Sequence, residues 1–475
     1  MNRKAGEFGE EFTGLSDLPD LPIPNSTSEA FAKSALASDA NFARSCGDAE
    51  HPEPMTPSAT PRSFIGSPGV RYAWFVVALL FPVAVLNYLD RQMLGTMKAS
   101  MVADIPSIAN RADWGLVLGC FKWTYAILSP FAGYVADRFS RRWVIALSLF
   151  VWSIVTWWTG HVGSLNELIA VRALMGISEA FYIPAALAMI TDYHPSATRS
   201  RAVGAHQMGI YLGQMLGGFT GYVADSPDHG WSWAFSTCGM IGVVYAIPLV
   251  ALLRDPPRSV SAAHVAAPTG GVFRGLFTNR NFLLLVLYFT LPAIAGWVVR
   301  DWMPEILREK FNLGQGKAGV SAILYVQIAS LIGAVIGGAL ADRWVRTSPR
   351  GRIFTSAIGM SLFLPALFSV GNASTLAIAI AGLTIFGFGW GLFDCNNMPI
   401  LCQIAQPSVR ATGYGLMNFV SIGCGGLADW GFGSLRDAQM PLNGIFAIFA
   451  ALALIAAGLM LCIRPNATQS APHGT

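Results

Sequence analysis

The chain has 475 residues, of which 53% are hydrophobic and only 12% charged, with 14 Trp, 29 Phe and a formal net charge of +4. That balance is too apolar for a soluble domain and offers no basic face for nucleic acid, so an integral membrane protein surrounded by a lipid bilayer is expected. The seven Cys stand apart without a CxxC or a Cys/His cluster, which gives no sign of a disulfide framework, a metal site or a bound cofactor.

Residues 1–68 are rich in Ser, Pro, Ala and acidic residues and lack an apolar stretch behind a basic start. They read as a disordered cytoplasmic tail and not as a signal peptide. Twelve apolar runs follow, each close to the ~20 residues that cross a bilayer. Six lie in 69–253 and six in 281–464, separated by a Pro- and Arg-containing cytoplasmic linker at 254–280 and followed by a short cytoplasmic tail at 465–475. Arg residues crowd the loops on the side of the tail, while the other side holds Lys98, Arg111, Arg308, Lys310, Lys317 and Arg436. This positive-inside bias places both termini in the cytoplasm of a cell, with a bacterial inner membrane as the expected location. AGYVADR at 132–138 recurs as GGALADR at 337–343, and RAVG at 201–204 recurs as RATG at 410–413. The expected fold is therefore an all-α polytopic membrane protein of two pseudo-symmetric six-helix halves, a form that suits transport about a midplane site.

Span one carries NYLDRQ, which sets Asp90 and Arg91 in the outer part of the membrane, where a charge needs a partner or water. FKWTYAILS in span two sets Lys122, Tyr125 and Ser129 on one face, with Lys122 facing the cavity. In span four, VRALMGISEAFYIP spaces Arg172 and Glu179 two helical turns apart, so a charge network between spans one and four is expected. Its plainer alternative is a salt bridge that pins two helices. Span five presents Gln207, Tyr211 and Gln214 on one face, span eleven Tyr414, Asn418 and Ser421, and span ten holds Asp394, Asn396 and Asn397 near its middle. Each of these polar residues is as readily a helix–helix hydrogen bond as a ligand contact, and only their recurrence in both halves points to a polar cavity. In the loop GYVADRFSRR, Gly133, Asp137, Arg138, Arg141 and Arg142 place a carboxylate among guanidiniums at a helix junction, echoed by Asp342 and Arg343. Such a cluster can latch one conformation and release in another.

With these motifs the chain resembles the major facilitator superfamily over nearly all of residues 70–465. NYLDR, FKWTY, the Arg172 and Glu179 pair, PSATRSRAVG and LMNF look like its anion:cation symporter family, of which sugar-acid transporters and sialin are members. The resemblance implies proton-coupled symport of a small organic anion such as a hexuronate or aldonate by a monomer working through alternating access, not an enzyme. It implies proton coupling at Asp90 and Glu179, buried arginines at Arg91 and Arg172, a cavity tyrosine at Tyr125 and a substrate-binding asparagine at Asn418. Lys122 departs from the small residue common there, so the substrate contacts differ. NYLDR and RALMGISEA also resemble spinster-type transporters of lysolipids and sphingolipids, the second reading; antiport stays open, and a membrane sensor or intramembrane enzyme finds no supporting motif.

Overall fold

Side chains mark where the helices begin. Asn110 and Asp113 cap each other's backbone in a reciprocal capping box, and Ser140, Ser164, Asn279 and Thr375 each accept a backbone N–H at a further start. A computed structural model describes residues 68–256, 275–405 and 409–464. The two tails and most of the linker expected at 254–280 lie outside the described residues. Among those described there is no strand, and the helices follow the twelve expected spans. In the first half these are Pro68–Thr96, Arg111–Arg138, Arg141–Thr159, the pair Leu165–Glu179 and Tyr182–Tyr193, Ser196–Ala224 and Gly230–Leu252. In the second they are Arg280–Phe311, Gln315–Val345, the pair Gly351–Ser361 and Phe363–Asn372, the pair Leu376–Asp394 and Asn397–Ile404, Arg410–Asp437 and Leu442–Leu461. Ten of these segments are long and apolar enough to cross a membrane by composition alone. The other two, spans five and eleven, are diluted by glycine and by the polar residues already noted.

Three spans are broken, and proline explains each break. Pro184, Pro365 and Pro399 follow the breaks in spans four, nine and ten, and each lacks the N–H that would bond the carbonyl four residues earlier, at Ala180, Ser361 and Cys395. Span four therefore ends its first segment on Glu179, and span ten ends its first on Asp394. The two carboxylates stand five residues before their prolines in both halves, a correspondence that extends the internal repeat.

The apolar interior falls into three clusters. One, which includes Met93, Trp114, Val298, Trp302 and Phe432, draws on both halves at the end of the bundle far from the chain termini. The other two stay within a single half. The polar contacts agree, for those that cross between halves join residues toward that far end: Arg111 to Glu309 and to Asp437, Lys98 to Glu305, and Gln315 to Ser100 and Asp225. At the termini end the described contacts stay within one half, as with Asp342 and Arg352 at 2.9 Å. Among the described residues, the polar contacts between the halves named above gather toward that far end.

Span two crosses span eleven so closely that Gly115 lies against the backbone of Asp429 and Trp430. Gly115→Val is accordingly expected to cost about 1–3 kcal/mol, seen as a lower thermal midpoint of the purified protein, because the facing atoms are backbone and cannot yield. Gly133→Ala should leave that midpoint at or above its original value, since nothing lies within 4 Å of a Cβ there.

Candidate functional site

The break in span four brings Glu179 beside span one. Its Oε2 accepts from Arg91 Nε at 2.5 Å with the carboxylate fully buried, so the expected pairing between spans one and four exists. The Arg91 guanidinium is enclosed by aromatic faces, 4.9 Å from the Tyr88 ring, 4.9 Å from Phe121 and 4.8 Å from Tyr125. Arg172 lies 4.6 Å from the Phe121 ring and donates to Met175 Sδ at 2.8 Å. Cation–π attraction partly replaces water for both guanidiniums. Asp90 has a different partner from those the sequence offered. Its Oδ2 accepts from the Thr156 hydroxyl of span three, while its Oδ1 is buried without a hydrogen bond. One unpaired oxygen on Asp90 and one on Glu179 leave two buried positions that a proton satisfies.

Lys122 is held between Asp301 of span seven and Asp429 of span eleven, with its ammonium 4.5 Å from the Trp297 ring. Both carboxylates escaped the sequence reading. The signal was present, because each is an acid inside an apolar run, in VVRDWM and in LADWG. Tyr88, Arg91, Phe121, Lys122, Arg172, Gln214, Trp297, Arg300 and Asp301 line one small cavity. Four cations, Arg91, Lys122, Arg172 and Arg300, share it with the Tyr88, Phe121 and Trp297 rings.

Further along the interface of the halves, Tyr211 stands beside Gln207, and Tyr414 beside Asn418. Asp394 is exposed there despite its place in mid-span, with Arg300 as the cation within electrostatic reach. Arg91 with Glu179 in the first half is thus matched by Arg300 with Asp394 in the second. Arg300 and Asp394, like Glu179, belong to the broken or facing segments that mark binding sites in paired repeats. Asn396 and Asn397 do not join this group as expected. Asn396 is buried and donates to the Leu392 carbonyl of its own helix at 3.0 Å, and Asn397 donates to Asp394 Oδ1 at 3.2 Å. Their amides close the break in span ten instead of facing the cavity.

The loop residues occupy the termini end. Arg141 pairs with Asp192, and Arg142 donates to the Val250 carbonyl, contacts made inside the first half. Asp342 pairs with Arg352 inside the second, and Arg138 and Arg343 are exposed. Arg138 also lies 4.9 Å from the Tyr134 ring. The side chain of Asp137 lies outside the described ones. The described ion pairs of Arg141 and Asp342 each stay inside one half.

The family model of the Major Facilitator Superfamily matches residues 80–428. The chain is 27% identical over 382 residues to the protein spinster of Drosophila melanogaster, covering 77% of this chain and 62% of that protein, so it spans less than two thirds of the fly protein's length. It is 28% identical over 400 residues to an MFS-type efflux pump of Mycolicibacterium smegmatis, covering 83% of this chain and 91% of the pump. Among solved structures, a bacterial homolog of the human lysosomal transporter spinster, inward-facing and unoccupied, superimposes with a TM-score of 0.71 at 21% identity over 85% of this chain and all of that one. A D-xylose-proton symporter does so with a TM-score of 0.69 at 16% identity over 83% of this chain and 98% of its own.

Proposed function

The chain belongs to the major facilitator superfamily, a family of transporters and not of enzymes, and from that premise we propose that it is a spinster-like secondary transporter of an amphipathic anion such as a lysolipid, coupled to protons. The observation that carries this reading is the cavity lined by Arg91 and Arg172, the first among the Tyr88, Phe121 and Tyr125 rings and the second against Phe121. A guanidinium fork binds a phosphate or carboxylate head in two places at once, and the aromatic sides suit the first carbons of a tail. The similarity to spinster proteins at 25–27% identity supports it ahead of the sugar-acid symport expected from the sequence. Asp90 and Glu179 take the coupling protons, Tyr125 and Tyr211 with Gln207 and Asn418 border the path of the substrate, and the Arg141, Arg142 and Asp342 clusters regroup when the termini end closes.

A sugar acid keeps one point in its favour. Gln214 is buried at the cavity with its Oε1 unpartnered, an acceptor that a hydroxyl satisfies and a methylene does not. The deciding measurement is flux in liposomes holding the purified protein, with labelled lysolipids and labelled sugar acids offered with and without a proton gradient. Gradient-dependent lysolipid movement is the expected result. Accumulation of a sugar acid with no lysolipid movement would replace this reading by the other.

A further inference from the structure

A second cavity lies apart from the transport site, as an open groove of about 440 Å³ on spans eight and nine, lined by Trp344, Phe354, Ala357, Ile358 and Ser361. Phe354, Ala357, Ile358 and Ser361 recur at the three- and four-residue spacing that sets them on one face of the segment Gly351–Ser361. Ala357 is the small residue among them and gives the groove its depth. Trp344 supplies the wall from span eight. It stands close because Gly351 has no side chain, and a Cβ there would lie 2.5 Å from the Trp344 backbone. Phe354 is 38% exposed and Ile358 43%, so this apolar face is left uncovered by the rest of the protein. Apart from the Trp344 indole, the one polar group of the lining is the Ser361 hydroxyl, and it already donates to the Ala357 carbonyl at 2.8 Å. A polar solute gains nothing in such a groove, whereas a hydrocarbon chain does.

The groove ends among positive charges on the side of the chain termini. Arg343, Arg346, Arg350 and Arg352 fall between the last turn of span eight and the first turn of span nine, against one carboxylate, Asp342, which is paired with Arg352 at 2.9 Å. Arg343 and Arg346 are exposed and enter no ion pair among the described residues. Arg350 lies 5.6 Å from the ring of Phe354, inside the lining itself, and donates to the Leu461 carbonyl at the end of span twelve, while its Nε has no hydrogen-bond partner. From this juxtaposition we infer that the groove is a binding site for an anionic phospholipid of the leaflet on the termini side, with one acyl chain along span nine and the phosphate among Arg343, Arg346 and Arg350. The dimensions agree, since Phe354 to Ser361 covers about 10 Å of helix and one leaflet offers ~15 Å of hydrocarbon. Arginines at the membrane surface attract anionic headgroups, and their forks bind a phosphate in two places. A lipid that merely filled space would need the apolar wall and not the arginines. The site holds whatever molecule is carried.

The test is native mass spectrometry of the purified, delipidated full-length protein, read as the Kd of the first lipid bound, with phosphatidylglycerol and phosphatidylcholine of the same chains. Phosphatidylglycerol is expected to bind more tightly by about 30-fold. Arg343→Gln together with Arg346→Gln should cut that preference to a few-fold while leaving the thermal midpoint without added lipid unchanged, because both side chains are exposed. Ala357→Phe, which fills the groove, should weaken both lipids about tenfold and keep the preference between them. Three results would overturn the assignment: an undiminished preference in the arginine variant, unchanged affinities in Ala357→Phe, or tighter binding of lysophosphatidylglycerol than of its two-chain parent, which would give the groove to a single-chain lipid such as the one proposed as cargo.

Discussion

Glu179→Gln is expected to abolish gradient-driven accumulation while leaving exchange of substrate across the membrane intact. Gln keeps the size of the side chain and one oxygen for Arg91 Nε, which donates to Glu179 at 2.5 Å, but it carries neither a charge nor an exchangeable proton. For one proton per substrate, a gradient of one pH unit sustains about a tenfold accumulation, since each pH unit is worth about 1.4 kcal/mol. In the variant that ratio should fall to about 1. Counterflow in liposomes separates this outcome from misfolding, because a misfolded carrier exchanges nothing. Arg91 can survive the loss of its partner's charge, for it is 16% exposed and retains three aromatic faces. Undiminished accumulation in Glu179→Gln would remove this residue from the coupling path and leave it as a pin between spans one and four.

The second large effect is expected at Arg91 itself. Arg91→Lys preserves the positive charge and yet should weaken binding of the anion by about 30-fold, or about 2 kcal/mol, measured as Kd on the purified protein. A lysine cannot offer two parallel N–H groups to a phosphate or carboxylate while a third bonds Glu179, and its compact ammonium cannot lie flat among the Tyr88, Phe121 and Tyr125 rings. An unchanged Kd would show that Arg91 holds the helices together without touching the substrate.

How far these sites could be read in advance depends on the kind of signal each one leaves. Asp90, Arg91, Lys122, Arg172 and Glu179 were visible because a charge inside an apolar run breaks the local pattern. Asp301 and Asp429 broke it in the same way and were passed over, the first near the end of its span and the second among glycines. Thr156 left no mark at all, since a threonine in a membrane helix normally bonds its own backbone, and Thr156 also does so with the Trp152 carbonyl at 2.9 Å. Asn396 and Asn397 looked like ligands, but span ten breaks at this point and their amides bond within the break, to the Leu392 carbonyl and to Asp394.

The sequence alone determined that this chain crosses a membrane many times as helices, that it repeats itself in two halves, and that spans one, two and four carry charges. Each of these follows from a local rule, because a bilayer admits no unsatisfied backbone and few unpartnered charges, and both constraints act on every residue where it stands. Only the tertiary structure decided the partners. Lys122 meets carboxylates 179 and 307 residues away, Arg91 meets Glu179 across 88, and the glycines at 115 and 433 admit a neighbouring backbone. Which charge faces which depends on the rotation of each helix about its axis and on which ends of the halves touch, and these are set by the packing of all twelve spans together.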